Sequence, residues 1–194
     1  MASKKALNVL VTSGASNITD KARAEADFYA TEPRAVELLL AEEKFTDTVY
    51  EPACGAGHIS EVLLKHGYRV ISEDLVERGY GISGRDFMTC RYKSLDYDIV
   101  TNPPYSLALE FVEKALDVVA PGRKVAMFLR LQFLEGKKRK KLFLENPPRT
   151  VYVSSSRLRC GRNGVFDKGS NAMAFCWIVW EKGYNGKTWI KWIN

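Results

Sequence analysis

The sequence predicts an α/β fold in which a mostly parallel sheet is covered by helices on both faces. Two observations lead to this prediction. Short apolar runs alternate with longer segments of helical periodicity, a pattern that is typical of parallel sheets. The last two apolar runs, at 173–180 and 188–193, are separated by Gly183-Tyr184-Asn185-Gly186, which predicts an antiparallel hairpin at the edge of the sheet.

The individual elements follow from the local pattern. A first helix is predicted after Thr31, which is interpreted as its N-cap because Pro33 falls in the first turn and leucines recur behind it. Further helices are predicted at 57–66, 107–119 and 137–144. Strands are predicted at 48–53, 69–74, 98–101, 124–130 and 150–154, and a short third strand or loop ends near Asp86-Phe87.

The chain has the size and composition of one globular domain, with 194 residues of which 46% are hydrophobic and 27% are charged. Residues 1–24 are mostly polar, so we expect a flexible N-terminal arm followed by a single domain over 25–194. The formal net charge of +6 favours a polyanionic partner, although many basic proteins have none.

The four cysteines lack the Cys-x-x-Cys spacing of zinc sites, and the two histidines do not complete a metal pattern. We therefore expect no bound metal. No apolar run has the length of a membrane span or the features of a signal peptide. Together these observations predict a cytoplasmic protein with reduced thiols.

The tetrapeptide Asn102-Pro103-Pro104-Tyr105 directly follows the predicted strand at 98–101. Neither proline has an N–H to donate, so the strand must end there, and the asparagine before them is held extended. The result is a rigid shelf that carries one amide side chain, backbone carbonyls and one aromatic ring. Such a shelf can bind a planar amine, such as an adenine base, by hydrogen bonds to its NH2 group and by stacking.

A glycine turn, Gly55-Ala56-Gly57, lies between the first long strand and the helix that follows it. Glycines at such a turn let the backbone approach a ligand and place the helix N-terminus beside it. The dinucleotide-binding pattern is incomplete, because Ser60 stands where a third glycine is required. Glu51 is an acid among apolar strand residues, which is costly unless it is paired or contacts a ligand.

Two further acids follow the next strands along the chain. Asp74 ends the second strand, where a carboxylate can accept hydrogen bonds from two ribose hydroxyls. Asp86 can accept one from an adenine amino group while Phe87 packs on the ring. Because ligands bind at the carboxyl ends of strands in open parallel sheets, we expect all of these residues at one edge. The alternative interpretation of each acid is a solvated strand end or a helix cap. Cys54 is interpreted as a packed residue. The histidines are assigned no chemistry.

These segments, taken in order, resemble the motifs of the S-adenosylmethionine-dependent adenine-N6 DNA methyltransferases, and most of all the small phage and prophage members. The resemblance covers about residues 27–180, and the order of the motifs is similar to the gamma arrangement of that family. It implies a class I, Rossmann-like methyltransferase fold with a seven-stranded sheet and S-adenosylmethionine as the cofactor. The segments that carry it are Phe28-Tyr29-Ala30-Thr31-Glu32-Pro33, Glu51-Pro52-Ala53-Cys54-Gly55-Ala56-Gly57, Asp74, Asp86-Phe87 and Asn102-Pro103-Pro104-Tyr105.

The resemblance also implies roles for these residues. The Asn102 oxygen and the Pro103 carbonyl would each accept one hydrogen of the adenine N6 amine, and Tyr105 would stack on the extruded base. Pro104 completes the shelf, and neither a metal nor a general base is required. The cofactor would contact Phe28 and Thr31 at its methionine end and Glu51, Ala53, Gly55, Gly57, Asp74, Asp86, Phe87 and Asn102 along the rest of its length.

Two basic segments are candidates for contact with nucleic acid. Lys137 and Lys138 begin a run of five basic residues that is either a solvated helix face or a phosphate contact. A long polar loop at 154–170 carries Arg157, Arg159, Arg162 and Phe166 and is a candidate for a substrate-facing loop. A second Asn-Pro-Pro, at 146–148, follows a basic helix rather than a strand and is interpreted as a helix terminator.

The acceptor is open at this stage. DNA adenine is the first hypothesis, and the same chemistry on adenine in structured RNA or on a protein glutamine amide is the second. A non-catalytic nucleic-acid-binding module on the same fold is the third. Only about forty residues follow the sixth strand, so we expect no separate target-recognition domain, and the recognition sequence and oligomeric state are not predicted.

Overall fold

The computed structural model describes residues 28–162, 164, 166 and 173–194, so the predicted arm at 1–24 lies outside the described residues. Its helices are α1 (Pro33–Glu42), α2 (His58–Lys65), α3 (Ala108–Val118) and α4 (Lys140–Glu145), with 3₁₀ turns at Tyr105–Leu107, Leu131–Leu134 and Lys137–Arg139. The strands are β1 (Tyr29–Thr31), β2 (Thr48–Glu51), β3 (Arg69–Ser72), β4 (Asp98–Thr101), β5 (Lys124–Arg130), β6 (Thr150–Ser154), β7 (Cys160–Arg162), β8 (Phe175–Glu181) and β9 (Trp189–Ile193).

Seven of these strands form one sheet in the order β3-β2-β4-β5-β8-β6-β9. All neighbours are parallel except at β8, which runs antiparallel to both β5 and β6. The predicted α/β class, with a mostly parallel seven-stranded sheet, is therefore confirmed. The small strands β1 and β7 pair antiparallel as a separate two-stranded sheet.

The two C-terminal strands run in opposite directions, as predicted, but they are not directly paired, because β6 lies between them. β8 ends at the amino edge of the sheet, where Glu181 pairs with Lys124. The chain then passes below the start of β6, and the Thr188 hydroxyl donates to the Pro148 carbonyl at 2.7 Å. The chain then enters the sheet on the far side of β6. The segment that contains 183–186 therefore crosses the start of β6 and does not form a tight hairpin turn.

The helices cover both faces of the sheet because alternate strand residues point to opposite sides. In β5, Val125, Met127 and Leu129 pack in the core with α3 and α4, whereas Ala126 and Phe128 pack in the core with α1 and α2. The core is also tied by buried polar contacts. The Trp177 indole on β8, for example, donates to the Ala35 carbonyl on α1 at 2.7 Å.

Several predicted boundaries differ from the structure, and the strands predicted at 48–53 and 69–74 end earlier, at Glu51 and Ser72. Thr31 belongs to β1, and Glu32 is the N-cap of α1 without a side-chain capping bond, so the N-cap assigned to Thr31 is wrong. Of the two alternatives predicted for the segment that ends near Asp86-Phe87, a short strand or a loop, the structure has the loop, in which Glu73 and Ile82 form an isolated bridge. The helix predicted at 137–144 begins as a 3₁₀ turn and becomes α-helical at Lys140, because a glycine with φ +107° precedes it.

The carboxyl ends of β2, β3, β4 and β5 meet at one edge because these strands are parallel. The β1–β7 pair lies over the same edge, since Asn102 beyond the end of β4 bonds to both of these small strands. The longest helix among the described residues has 11 residues, and no described helix is long and apolar enough to cross a membrane.

Candidate active site

A cleft of about 970 Å³ opens at the carboxyl edge of the sheet, within the size range of pockets for small organic ligands. The structure brings most of the predicted site residues to its walls, although they come from distant parts of the chain. Those that line it are Phe28, Thr31, Glu51, Ala53, Asp74, Asp86, Phe87, Asn102, Pro103 and Pro104.

Asn102 is held in one orientation by the strand that covers it. Its amide nitrogen donates to the Tyr29 carbonyl at 2.7 Å and to the Thr31 hydroxyl oxygen at 3.0 Å. The amide oxygen is buried and has no hydrogen-bond partner among the described residues. An unsatisfied buried acceptor costs about 1–3 kcal/mol, so β1 holds the side chain with its oxygen unpaired at that cost.

Tyr105 lies beside Asn102 but is not among the residues that line the cleft. Its hydroxyl shares a hydrogen bond of 3.0 Å with the Cys160 thiol, and its ring packs against Tyr29 at a centroid distance of 5.3 Å. The Arg130 guanidinium lies over the ring at 4.7 Å. Burial raises the pKa of the Tyr105 phenol well above its usual range and that of the Cys160 thiol to about 12, so both groups are neutral.

The glycine turn follows β2 and adopts backbone angles that favour glycine. Gly55 has φ +55° and Gly57, the N-cap of α2, has φ +84°. A Cβ atom on Gly55 would overlap the Phe28 ring, and one on Gly57 would overlap the Tyr80 ring. The turn is therefore packed between two aromatic rings, and neither glycine leaves room for a side chain.

Two of the predicted acids accept hydrogen bonds from backbone N–H groups of the loops beside the cleft. The Asp74 carboxylate accepts from the backbone N–H groups of Gly55 and Val76, each at 2.8 Å. The Asp86 carboxylate accepts from the backbone N–H of Met88 at 2.9 Å. These bonds use part of the acceptor capacity of each carboxylate and fix its direction, which leaves lone pairs for a ligand.

Glu51 is 1% exposed and has no cation beside it among the described residues. Its carboxyl accepts a short hydrogen bond from the Ser60 hydroxyl, which in turn is bonded to the Ser72 hydroxyl at 2.6 Å. Burial raises the pKa of the Glu51 carboxyl well above its usual range, the Ser60 bond opposes this in part, and the charge of Asp74 adds to it. Without ligand the Glu51 carboxyl is therefore held in its neutral form, and it lies in the wall of the cleft.

This raised pKa predicts a pH-dependent stability. In the unfolded chain the Glu51 carboxyl releases its proton near pH 4.5. In the folded protein it keeps that proton to higher pH. Folding therefore takes up a proton, and the free energy of unfolding should fall as pH rises above that value. Without ligand, Glu51→Gln should gain stability relative to wild type between pH 5 and pH 8, as measured by urea unfolding. Glu113→Gln removes an exposed acid on α3 and is the control; an equal gain in that variant would contradict the assignment.

The basic segments lie on different sides of the cleft. Lys137 and Lys138 are exposed beyond the carboxyl end of β5. The Arg159 backbone N–H donates to the Glu32 carboxylate at 2.6 Å, which fixes the loop after β6 to the start of α1. Phe166 packs edge-on against His58 at 5.9 Å, on the glycine-turn side of the cleft rather than beside the shelf. Arg157 is exposed, and Arg162 ends β7.

Several contributors were not found from the sequence. Cys160 bonds both Asn102 and Tyr105 from 58 and 55 residues away in the chain, and no local pattern marks it. His58 and Arg78 line the cleft, and the Arg78 guanidinium lies 4.3 Å over the Phe28 ring. The position of His58 directly after Gly57, at the start of a helix that points into the cleft, was a usable signal.

Burial and the nearby acids raise the pKa of the Cys54 thiol to about 12, which agrees with a packed residue.

Comparison of whole folds finds similar solved structures. A protein from Listeria monocytogenes assigned to the class I S-adenosylmethionine-dependent methyltransferases matches 97% of this chain and 71% of its own, with 12% identity and a TM-score of 0.60. One from Vibrio vulnificus assigned as a modification subunit of a type I restriction enzyme matches 99% of this chain at 15% identity and a TM-score of 0.60, but only 53% of its own length. One from Pyrococcus horikoshii assigned as an RNA methyltransferase matches 94% of this chain and 98% of its own, with 15% identity and a TM-score of 0.55.

No protein-family model matches the sequence, and no curated protein matches it. Identities of 12–15% to the solved structures show a shared fold and leave the chemistry to be argued from the site. The fold of the chain is that of the class I methyltransferases.

Proposed function

We propose that this protein transfers a methyl group from S-adenosylmethionine to the N6 amine of adenine in DNA. The observation that carries the proposal is the state of Asn102. Its amide nitrogen is anchored to β1, while its buried oxygen has no partner in the described part of the chain. An acceptor fixed in this way fits a substrate that brings an N–H donor.

The proposed acceptor chemistry follows from the shelf. The adenine N6 lone pair is delocalised into the ring, so the amine is a poor nucleophile. The Asn102 oxygen and the Pro103 carbonyl each accept one N6 hydrogen, which orients the amine and stabilises the positive charge that develops on nitrogen. The proton leaves after transfer, so no general base is assigned.

Tyr105 supplies the stacking surface for the extruded base. One face of its ring is covered by the Arg130 guanidinium at 4.7 Å. A cation–π contact contributes about 0.5–2 kcal/mol, whereas a base stacked on an aromatic ring contributes about 1–3 kcal/mol. A base stacked on this face therefore takes the place of the Arg130 guanidinium.

The cofactor seat is the part of the cleft between the glycine turn and the shelf. S-adenosylmethionine supplies an activated methyl group on a cationic sulfur. Glu51, buried without a cation, receives the ammonium of the methionine part, and Phe28 and Thr31 cover that end. Asp74 accepts from the ribose hydroxyls, and Asp86 with Phe87 holds the adenine at the other end. Ala53 lines the floor between them, and Gly55 and Gly57 support it from behind the Phe28 and Tyr80 rings.

DNA is favoured as the acceptor by the combined sequence motifs and by the basic segments beside the cleft. The same shelf would serve adenine in structured RNA, and a glutamine amide of a protein presents a similar planar NH2 group. A non-catalytic role on this fold explains the open Asn102 acceptor less well, because a scaffold gains nothing from an unsatisfied buried oxygen.

The test is methyl transfer from radiolabelled S-adenosylmethionine into unmethylated DNA, total RNA and cell-extract protein, measured side by side. Label in DNA supports the proposal. Label in RNA or protein alone keeps the shelf chemistry and overturns the acceptor. No label, together with no rise in melting temperature at saturating S-adenosylmethionine, overturns the enzyme assignment, because any ligand of the native state must stabilise it.

The position of Lys137 and Lys138 predicts a contribution to DNA binding. Reversal of both charges (Lys137→Glu with Lys138→Glu) should weaken DNA binding about tenfold or more and reduce the slope of log K against log salt by about 1–2. Fluorescence anisotropy with a labelled duplex over a salt series measures both quantities.

The matched control changes net charge equally at the opposite edge of the sheet. Lys44 and Lys65 are both exposed there, before β2 and at the end of α2. Lys44→Glu with Lys65→Glu should leave the salt slope close to that of wild type. Equal losses in the two double variants would show an effect of net charge alone and remove the 137–138 segment from the interface.

A further inference from the structure

The last strand, β9, exposes more apolar surface than any other strand described. Trp189 is 63% exposed, Ile190 is 54% exposed and Trp192 is 70% exposed. Monomeric proteins rarely show large apolar side chains contiguously on a sheet edge, because such an edge pairs readily with another strand. The proposed methyl transfer assigns no role to this surface, which lies at the end of the sheet away from the cleft.

The outer edge of β9 has unpaired backbone groups. β9 pairs with β6 on one side, and within residues 28–162, 164, 166 and 173–194 no strand pairs with its other side. The Trp189 N–H donates to Arg149, and the Ile193 carbonyl accepts from Ser155, so the odd-numbered residues bond to β6. In a parallel ladder the residues between them point their N–H and C=O groups the other way, which places those of Ile190 and Trp192 at the open edge.

The usual protection of an edge strand is missing here. Lysines on edge strands oppose pairing when their charge lies across the edge. The Lys191 ammonium instead lies 3.5 Å from the Glu42 carboxylate and 5.8 Å from the centre of the Tyr152 ring, both on its own chain. β9 contains no proline, and its pairing with β6 is continuous over all five residues.

We propose that β9 is a dimerisation strand that pairs antiparallel with β9 of a second copy. A strand fits this surface better than a helix does, because apolar side chains stand on both faces of β9. Trp189 shares its face with Lys191 and Ile193, and Ile190 shares the other face with Trp192. A docked helix would cover the apolar side chains on only one face of β9, whereas a second strand would extend the sheet and cover those on both faces.

The geometry also fixes the register. Pairing centred on Lys191 aligns all five residues and sets Ile190 of each copy opposite Trp192 of the other. These are the residues whose backbone groups face the edge, so each opposed pair exchanges two N–H···O bonds, and exposed apolar side chains cover one another. The two Lys191 residues form the central non-bonded pair. Like charges directly opposite are unfavourable, and the Glu42 carboxylate 3.5 Å from each ammonium offsets part of this repulsion.

The area of the contact predicts its strength. The exposed parts of two tryptophans and one isoleucine amount to roughly 400 Å² per copy by typical side-chain areas. A stable dimer of standard size buries roughly 800 Å² per partner, so this contact is small and we expect a weak, reversible pairing.

Sedimentation velocity from roughly 1 to 100 μM, the concentration range of weak reversible association, tests the proposal. Wild type should shift from monomer to dimer across the range. Trp192→Glu and Ile190→Lys, which place charges on the open edge, should stay monomeric with an unchanged melting temperature and unchanged methyl transfer per subunit. Leu144→Glu is the control, because Leu144 is 72% exposed on α4 and outside the strand, and that variant should dimerise like wild type.

The register has its own test. Opposed residues of a non-bonded antiparallel pair have Cα atoms about 4.5 Å apart, within the range of a disulfide. Lys191→Cys should therefore form a disulfide-linked dimer on mild oxidation, and Lys187→Cys, outside the paired strand, should not. A wild type that is monomeric at every concentration overturns the proposal. If Trp192→Glu also loses DNA affinity in that case, β9 is a nucleic-acid surface and the proposal is still overturned. A dimer that survives both charge variants, or a Lys191→Cys variant that does not link, overturns edge pairing.

Discussion

Asn102→Ala should lower the rate of methyl transfer by about 10²–10³-fold, the size of effect seen when one preorganised hydrogen-bonding group is removed from an active site. The variant loses the oxygen that accepts an N6 hydrogen. It also loses the two hydrogen bonds that tie the end of β4 to β1. Cofactor affinity, measured by calorimetry, should change much less than turnover, because Asn102 acts on the acceptor amine.

The chain contains its own control for this prediction. Asn146 also precedes two prolines, but it ends α4, and its backbone carbonyl accepts a hydrogen bond from Trp180 at 3.1 Å. Asn146→Ala removes the same side chain from the same tripeptide far from the cleft. It should keep turnover within about twofold of wild type, as expected for a change that touches no reacting group. Near-normal turnover in Asn102→Ala would contradict the role given to the shelf.

Gly55→Ala should weaken S-adenosylmethionine binding by roughly tenfold or more, since even a displacement of about 1 Å at a binding surface disrupts its contacts. The added methyl group overlaps the Phe28 ring, so Phe28 must move away from the methionine end of the cleft. The positive φ of +55° adds strain; a non-glycine residue in this region costs about 1–2 kcal/mol. Calorimetry measures the affinity, and urea unfolding measures the stability.

The Gly67→Ala variant separates the effect of backbone strain from the effect of steric overlap in Gly55→Ala. Gly67 has φ +86°, and a Cβ atom there would meet no atom within 4 Å. This variant should lose a similar amount of stability to backbone strain alone and bind the cofactor as wild type does. If Gly67→Ala weakened binding as much as Gly55→Ala, the packing of Phe28 on the glycine turn would not explain the effect.

Much of the site was predictable because its residues follow parallel strands. Glu51 ends β2 and Asn102 follows β4, and parallel strands place their carboxyl ends at one edge. The alternation of strands and helices was enough to place these segments together. The chemical type of each residue then indicated an amine acceptor beside a cationic ligand.

The clamp on Asn102 was not predictable, because it depends on pairing between distant segments. Tyr29 lies 73 residues before Asn102, and Cys160 lies 58 residues after it. The β1–β7 pair that joins them has only three residues in each strand. Strands this short give little periodic signal, and which segments pair is decided by packing rather than by local propensity.

The same limit explains the C-terminal strands. Both were visible as apolar runs with glycines between them, and that pattern is typical of a hairpin. It does not contain the information that β6 occupies the edge of β8 where the returning strand would pair. The insertion of β6 is also what moves β9 to the outside of the sheet and exposes its tryptophans.

The most direct test of the central claim is the position of the transferred group. DNA is incubated with the protein and with S-adenosylmethionine that carries a deuterated methyl group, then digested to nucleosides and measured by mass spectrometry. The shelf geometry predicts that the label is recovered as N6-methyl-2′-deoxyadenosine, that Asn146→Ala gives the same product, and that Asn102→Ala gives almost none. Label on a ring atom of either base, or equal product from both variants, would contradict methyl transfer to an amine held by Asn102, and label on the N4 amine of cytosine would overturn adenine as the acceptor.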